Sequence, residues 1–208
     1  MNVKICGITR GEDALAAAEE GATAIGFIFV ASSPRRIDPS AAAVIIRALP
    51  PFVTPVGVFV NAPRETIMRT IEATGIRCLQ LHGDEPPEAV EGYPVPVIKS
   101  FRVGDRFATD ILRTYDVAAC LLDAAVPGLH GGTGRTFDWE IARRAAAAGR
   151  IILSGGITPA NIARAVREVR PYAIDLSSGV ESSPGIKERS KIRELFENLR
   201  GAVAPAQP

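Results

Sequence analysis

The sequence predicts an α/β protein consisting of a single (β/α)8 TIM barrel, with the active site at the C-terminal face of the strands. Short apolar runs rich in β-branched residues alternate with amphipathic, alanine-rich runs along the chain, and this alternation occurs about eight times. The length agrees, because 208 residues divided by eight leave about 26 residues for each unit, as in a minimal barrel. A doubly wound open sheet is the alternative fold.

The predicted strands are nearly continuous apolar runs, which is typical of parallel strands that are buried on both faces. They are expected at 3–8, 24–30, 54–60, 78–83, 96–101, 119–124, 151–156 and 172–179. In the first run, VKICGI, Lys4 and Cys6 share one face and the strand stops at a glycine. A thiol is therefore predicted at the C-terminal end of the first strand.

Helices are predicted between these strands, many with Ser, Thr or Asp before them and Gly after them. They are expected at 11–21, 39–50, 64–75, 138–149, 158–169 and 187–199. Strand alternating with helix implies a parallel sheet with right-handed crossovers. We assign residues 1–200 to one (β/α)8 barrel domain and residues 201–208 to a flexible C-terminal tail.

Composition points to a small-molecule partner in a reducing compartment. Lys and Arg number 24 against 23 Asp and Glu, so the net charge of +1 suggests neither nucleic-acid nor membrane-surface binding. Cys6, Cys78 and Cys120 stand far apart, without the paired spacing of a zinc site or a disulfide framework. We expect a cytoplasmic protein without a signal peptide or a membrane span.

Polar residues cluster at or near the C-terminal ends of the predicted strands, where (β/α)8 barrels carry their catalytic residues. They are Cys6, His82, Ser100, Asp123, Ser154, Asp175 and Ser177. From the alternation of the strands, Asp123 and Asp175 are expected to point into the barrel mouth. Lys4 and Lys99 are also expected to face inward, which keeps a Schiff-base enzyme open as an alternative.

Most of these candidates have a structural interpretation beside the functional one. Cys6 can be a buried packing residue, and Asp123 can cap the loop that follows it. His82 can act as acid or base, or can orient a neighbouring group. Arg35, in SSPRRI after the second strand, can bind a carboxylate or a phosphate through two parallel hydrogen bonds.

Glycine-rich turns follow the last three predicted strands. LSGGI and DLSSGVE follow the seventh and eighth strands, where backbone N–H groups and the start of a short helix often hold a phosphate. SSGVESSPGIK is predicted to supply that short helix. HGGTGRTFDW, at 130–139, is predicted to fold over a bound anion as a mobile flap.

Eight stretches follow one another within residues 3–185: KICGIT, GFIF followed by SPR, VGVFVN, LQLHGDE, LLDA, GGTGRTFDW, LSGGI and DLSSGVES. In this order they resemble the phosphoribosylanthranilate isomerase family, which are cofactor-free barrels of tryptophan biosynthesis. The resemblance implies an Amadori rearrangement of N-(5-phosphoribosyl)anthranilate to 1-(2-carboxyphenylamino)-1-deoxyribulose 5-phosphate. It implies no cofactor, and we expect no metal and a monomer or a homodimer.

The resemblance also implies roles for individual residues. Cys6 is the general base and Asp123 the general acid, while Arg35 grips the anthranilate carboxylate and Asp175 helps to position the anthranilate end. Independently of the resemblance, we place His82, a strand-end histidine, with the substrate-binding residues. The phosphate is held by Gly132, Thr133, Gly134, Gly155, Gly156, Ser177, Ser178 and Gly179. We further predict that Lys4, two residues from Cys6, lowers the pKa of that thiol.

Two other functions are open. A lyase or synthase barrel of the indoleglycerol-phosphate synthase type needs a lysine at the reacting centre and has no need of Cys6. A non-catalytic phosphate-binding barrel binds a phosphoribosyl ligand without turnover. A bifunctional isomerase that also serves histidine biosynthesis is expected to carry phosphate-like glycines in both halves, and here they occur in the second half.

Overall fold

Eight strands form one closed parallel barrel in the computed structural model, which describes residues 1–104, 107–124 and 138–203. Strands β1 to β8 pair in chain order, and β8 pairs back to β1. They span Asn2–Ile5, Ala24–Ile28, Thr54–Phe59, Cys78–Leu81, Val97–Val103, Ala119–Ala124, Ile151–Leu153 and Ala173–Leu176. This closed order confirms the predicted (β/α)8 barrel and rules out the open sheet.

Most strands end earlier than predicted. β1, β7 and β8 each end three residues before the predicted end, because the polar and glycine residues there leave the ladder and turn toward the barrel mouth. The residues that the sequence assigned to strand ends therefore lie mostly in the loops that follow. β5 is the exception, because it continues beyond its predicted end to Val103.

The described residues contain six α-helices, five between strands and one after the last strand, and none is long and apolar enough to cross a membrane. Helices α1 to α6 span Gly11–Glu20, Pro39–Ala48, Arg64–Thr74, Trp139–Ala145, Ile162–Val169 and Arg189–Val203. The last helix thus extends to Val203, and residues 204–208 of the predicted tail lie outside the described residues.

The crossovers after β4 and β5 contain short 3-10 helices, Pro87–Val90 and Thr109–Thr114, in place of α-helices. The first crossover reads GDEPPEAVEGYPVP, and its prolines remove backbone donors that an α-helix needs. The (β/α)8 pattern is therefore complete in its strands and reduced in two of its helices.

The segment after β8 differs from its prediction. The expected short helix is a single 3-10 turn at Ser178–Val180, and an antiparallel hairpin of β9 (Glu181–Ser183) and β10 (Ile186–Lys187) follows it. Gly185, with φ of +82°, makes the turn between the two strands. The N–H of Lys187 donates to Asp13 Oδ2 at 3.0 Å, so the hairpin is tied to α1 beside the barrel mouth.

Apolar side chains fill the N-terminal half of the barrel interior. The buried cluster there is formed by Val56, Cys78, Ile98, Ala119, Leu121, Ile152 and Ala173. Cys78 is therefore a packing residue, and Cys120 packs in the outer layer between the strands and helices. The polar residues lie above this cluster, toward the C-terminal ends of the strands.

The prediction that Lys99 faces the barrel interior is wrong. Its neighbour Ile98 packs inside, so Lys99 must point to the outer side of β5. There its Nζ lies 3.1 Å from Glu85 Oε2 and donates to the carbonyl of Gly83 at 2.9 Å. Lys99 is a buried structural cation outside the barrel.

Candidate active site

A cavity of about 540 Å³ opens at the C-terminal ends of the strands, a size that suits a small-molecule ligand. Most of the predicted site residues that the structure describes line it: Cys6, Arg35, His82, Asp123, Gly155, Gly156, Asp175, Ser177 and Ser178. Gly179 does not line it and packs against the backbone of Ile157. Gly132, Thr133 and Gly134, with most of the predicted flap, lie outside the described residues.

Cys6 follows β1 directly and is 6% exposed. Burial raises the pKa of its thiol above the ordinary value, and the Lys4 ammonium opposes this rise without overcoming it. The predicted direction of the Lys4 effect is therefore right, although the net shift is upward. The raised pKa favours the thiol form of Cys6 and makes its thiolate, once formed, a stronger base.

Lys4 is held in a buried ion pair beneath Cys6. Its Nζ donates to Asp175 Oδ1 at 2.7 Å, and Asp175 Oδ2 accepts from Ser154 Oγ at 3.2 Å. Burial by itself lowers the pKa of Lys4, but Asp175 and Cys6 raise it by more, so the net shift is upward. The ion pair with Asp175 favours the ammonium form of Lys4, which is not the nucleophile that forms a Schiff base, and this disfavours the lysine chemistry of the alternative enzyme class.

Asp123 lies at the end of β6 beside His82. His82 Nε2 is 3.4 Å from Asp123 Oδ2, and His82 Nδ1 is 2.9 Å from Gln80 Nε2. With the amide placed this way Nδ1 accepts, so Nε2 carries the hydrogen that faces Asp123. The contacts favour the interpretation of His82 as a residue that orients a neighbour.

Gln80 is a polar residue at this site that the sequence interpretation missed. It is 1% exposed, and its Nε2 donates to Ser100 Oγ at 3.2 Å as well as to His82. Its Oε1 has no hydrogen-bond partner among the residues that the structure describes. The alternation of the strand could have revealed Gln80, because in CLQLHG it shares a strand face with Cys78 and His82.

The loops after β7 and β8 pack against each other as one unit. Gly155 and Gly156 have φ of +83° and +65°, which favour glycine. Asn161 holds this loop, since its Oδ1 accepts from Thr158 N at 2.9 Å and its Nδ2 donates to the carbonyl of Gly156 at 2.8 Å. Small residues and backbone amides at this edge suit an anion, and a phosphate is the ligand that the sequence predicts here.

Arg35 lines the cavity but is already paired. Its Nε donates to Glu181 Oε1 at 2.9 Å and its Nη2 to Glu181 Oε2 at 2.7 Å. Glu181 Oε1 also accepts from Lys187 Nζ at 2.7 Å. The sequence interpretation missed Glu181 and Lys187, because the segment that carries them was expected to be helical and no local pattern links it to Arg35.

Gly26 in β2 makes room for Cys6. A Cβ atom at Gly26 would lie 2.7 Å from Cys6 Sγ and 3.1 Å from the Cys6 Cα atom. Gly26→Ala is therefore expected to lower the free energy of unfolding by about 1 to 3 kcal/mol through overpacking. Urea denaturation measures this change. Gly11→Ala is the control, since a Cβ atom there makes only ordinary contact with Ile45; equal stability of both variants would contradict the close packing at Cys6.

The chain is similar over nearly its whole length to proteins of one family. A family model described as N-(5'-phosphoribosyl)anthranilate (PRA) isomerase matches residues 3–198. The N-(5'-phosphoribosyl)anthranilate isomerase of Pelobacter propionicus is 53% identical over 196 residues, which cover 94% of each chain.

Solved structures give the same result. Phosphoribosyl anthranilate isomerase from Thermus thermophilus has a TM-score of 0.90 and 46% identity, covering 97% of this chain and 99% of that one. A second structure, phosphoribosyl anthranilate isomerase in complex with reduced 1-(o-carboxyphenylamino)-1-deoxyribulose 5-phosphate, has a TM-score of 0.86 and 39% identity with the same coverage. The fold and the chain length therefore agree with those of these relatives.

Proposed function

The chain belongs to the N-(5'-phosphoribosyl)anthranilate isomerase family, and from this membership we propose how its residues carry out the reaction. The protein is an isomerase of tryptophan biosynthesis that converts N-(5-phosphoribosyl)anthranilate to 1-(2-carboxyphenylamino)-1-deoxyribulose 5-phosphate. In this Amadori rearrangement, protonation of the ring oxygen opens the aminoaldose ring to a Schiff base. The Schiff base loses a proton from C2′, and the resulting enolamine tautomerises to the ketone.

Asp123 is the general acid and Cys6 is the general base. The observation that carries this assignment is that both side chains line one cavity, although they come from β6 and β1. Asp123 in its protonated form gives a proton to the ring oxygen, and the Cys6 thiolate takes the proton from C2′. His82 orients Asp123 through its Nε2. One acid and one base therefore account for ring opening and for formation of the enolamine.

Lys4 stabilises the Cys6 thiolate. The charge of Lys4 opposes the rise in the pKa of Cys6 that burial causes, and the Asp175 carboxylate keeps Lys4 in place at 2.7 Å. Both oxygens of Asp175 are bonded, to Lys4 and to Ser154, so Asp175 helps to position the anthranilate end as a fixed wall of the cavity.

Lys4→Met is expected to move the rate profile to higher pH. Activity needs deprotonated Cys6, and loss of the ammonium leaves the negative charge of Asp175 beside the thiol, so the pKa of Cys6 rises further. The measurement is kcat/KM against pH, with Lys191→Met as the surface control. If the limb that reports deprotonation of Cys6 does not move in Lys4→Met, Lys4 has no part in forming the base.

Substrate binding is divided between two ends of the cavity. Arg35 binds the anthranilate carboxylate, because a guanidinium fork matches a planar carboxylate. The loops at Gly155, Gly156, Ser177 and Ser178, which line the cavity, bind the phosphate, with Gly132, Thr133 and Gly134 predicted to join them. The partner is a small phosphoribosyl molecule, and the protein acts as a monomer or a homodimer. Three free buried cysteines support a cytoplasmic location.

The direct test of the reaction is the loss of anthranilate-type fluorescence. Phosphoribosylanthranilate is generated in place and mixed with wild-type protein, and excess indoleglycerol-phosphate synthase draws off the product. Fast decay is the expected result. Absence of decay would leave a phosphate-binding barrel, and borohydride trapping of a protein-bound carbonyl substrate would instead support the lyase class.

A further inference from the structure

Glu181 is a buried carboxylate that faces the substrate-binding guanidinium of Arg35. We propose that Glu181 is a positioning residue that aims Arg35 at the substrate carboxylate and withholds it from the substrate phosphate. This proposal rests on the proposed role of Arg35 in the isomerase reaction. It assigns Glu181 a part in specificity, because the substrate has an anionic group at each end and must enter in one orientation.

The contacts of Glu181 show that it forms a buried, multiply hydrogen-bonded ion pair with Arg35, unlike a solvent-exposed surface ion pair. Its side chain is 4% exposed, and Arg35 donates three hydrogen bonds to it, of 2.7 to 3.1 Å. Lys187 donates at 2.7 Å, and the N–H of Gly185 donates at 3.2 Å. Charge-assisted bonds in such a buried setting fix the guanidinium plane far better than solvent would.

The hairpin β9–β10 supplies this arrangement. Glu181 opens β9 and Lys187 ends β10, so the carboxylate and its second cation are set by the pairing of the hairpin strands. The tie from the N–H of Lys187 to Asp13 then fixes the hairpin to α1. Arg35 is thereby oriented by elements that lie about 146 residues away in the chain.

Arg35 lies close enough to the phosphate loop for its orientation to matter. A Cβ atom placed on Gly7 would lie 2.7 Å from Arg35 Cδ and 2.9 Å from Ser177 Oγ, so these two side chains meet over Gly7. Ser177 belongs to the proposed phosphate-binding loop. If Glu181 did not hold the Arg35 guanidinium, a small rotation of the Arg35 side chain would bring it to a dianionic phosphate bound at this loop.

Charge balance makes Glu181 decisive for this choice. Arg35 and Lys187 with Glu181 carry a net charge of +1, which becomes +2 if Glu181 is made neutral. A phosphate monoester carries between one and a half and two negative charges at neutral pH, about twice that of a carboxylate, so a free guanidinium favours the phosphate. Burial by itself raises the pKa of Glu181, but its bonds to Arg35 and Lys187 lower it by more. The net shift is downward, so the carboxylate stays ionised.

Two bonding positions of Arg35 are used by Glu181, and the rest are available to a ligand. Nε and Nη2 donate to the carboxylate, while Nη1 donates no hydrogen bond to any residue that the structure describes. Arg35 itself lines the cavity. The side of the guanidinium that carries Nη1 therefore remains for a ligand in a fixed orientation, which suits one planar carboxylate.

The test compares Glu181→Gln with Glu188→Gln, a half-exposed glutamate of the same chain segment that pairs with Lys191. The measurements are kcat and KM for phosphoribosylanthranilate and the inhibition constant of inorganic phosphate. For Glu181→Gln we expect KM to rise about tenfold or more, kcat to change less than KM, and phosphate to inhibit at a severalfold lower concentration. Glu188→Gln is expected to match the wild type in all three values.

Arg35→Met separates this proposal from the proposed function. A raised KM in Arg35→Met, together with wild-type KM and phosphate inhibition in Glu181→Gln, would overturn the role of Glu181 alone. An unchanged KM in Arg35→Met would instead overturn the role of Arg35 in binding substrate, and the proposal with it.

Lys187→Met keeps the test valid if Glu181→Gln does not fold, as a thermal melt would show. This variant leaves the Arg35 pair with Glu181 intact and removes one cation. We expect phosphate to inhibit it more weakly than it inhibits the wild type. Stronger inhibition by phosphate would mean that Glu181 alone does not hold Arg35 away from the phosphate, and would overturn the proposal.

Discussion

Cys6→Ser is expected to lower kcat about 10²- to 10⁴-fold, the range that a positioned general base contributes. A serine hydroxyl has nearly the size of the thiol but is not a base at neutral pH. Even with the pKa of Cys6 raised by burial, the thiolate forms far more readily than an alkoxide in the same place. The loss should therefore appear in kcat and not in KM, as measured by the decay of anthranilate-type fluorescence.

Cys120→Ser is the matched control for this variant. Cys120 is also a buried thiol, but it packs in the outer layer and does not line the cavity. We expect it to keep wild-type kcat. If Cys6→Ser also kept wild-type kcat, Cys6 would be a packing residue, and the search for the base would turn to His82 or Asp175, which line the same cavity.

Asp123→Asn is expected to cause a loss of the same order, about 10²- to 10⁴-fold in kcat. The amide has the shape of the carboxyl group, so the contact with His82 and the walls of the cavity are kept, while the proton for the ring oxygen is lost. The variant should therefore still bind reduced 1-(o-carboxyphenylamino)-1-deoxyribulose 5-phosphate, the ligand named for a related structure, with an affinity near that of the wild type.

The control for Asp123→Asn is Asp110→Asn, an exposed carboxylate in the 3-10 helix after β5. This variant should have wild-type kcat. Near-wild-type turnover in Asp123→Asn would leave ring opening without its proposed acid and would return Asp123 to the role of a cap. Loss of ligand binding together with turnover would show that Asp123 serves to bind substrate.

Most of the candidate site could be predicted because the barrel brings strand ends together. Cys6, His82, Asp123 and Asp175 come from four different strands, yet each follows an apolar run and precedes a turn. Once the fold class was known, strand-end position alone placed them at one rim, and the cavity contains all four. Their roles stay predictions until the variants are measured.

The direction of Lys99 could not be predicted from the sequence. In a parallel barrel both faces of a strand are apolar, so the residues around Lys99 give no contrast between inside and outside. Only the register of β5 with its neighbours shows that Ile98 and Ser100 face inward. An error of one residue in that assignment exchanges the two faces of the strand.

The sequence by itself determined the closed barrel, the rim that carries the site and the family, because periodicity, chain length and the order of the motifs can all be read along the chain without knowing which residues meet in space. Only the tertiary structure decided which charges are paired. Arg35 with Glu181 and Lys4 with Asp175 join residues 146 and 171 positions apart. Whether a cation is free or neutralised depends on what the closed barrel places beside it, since electrostatic interactions act through space and not along the chain.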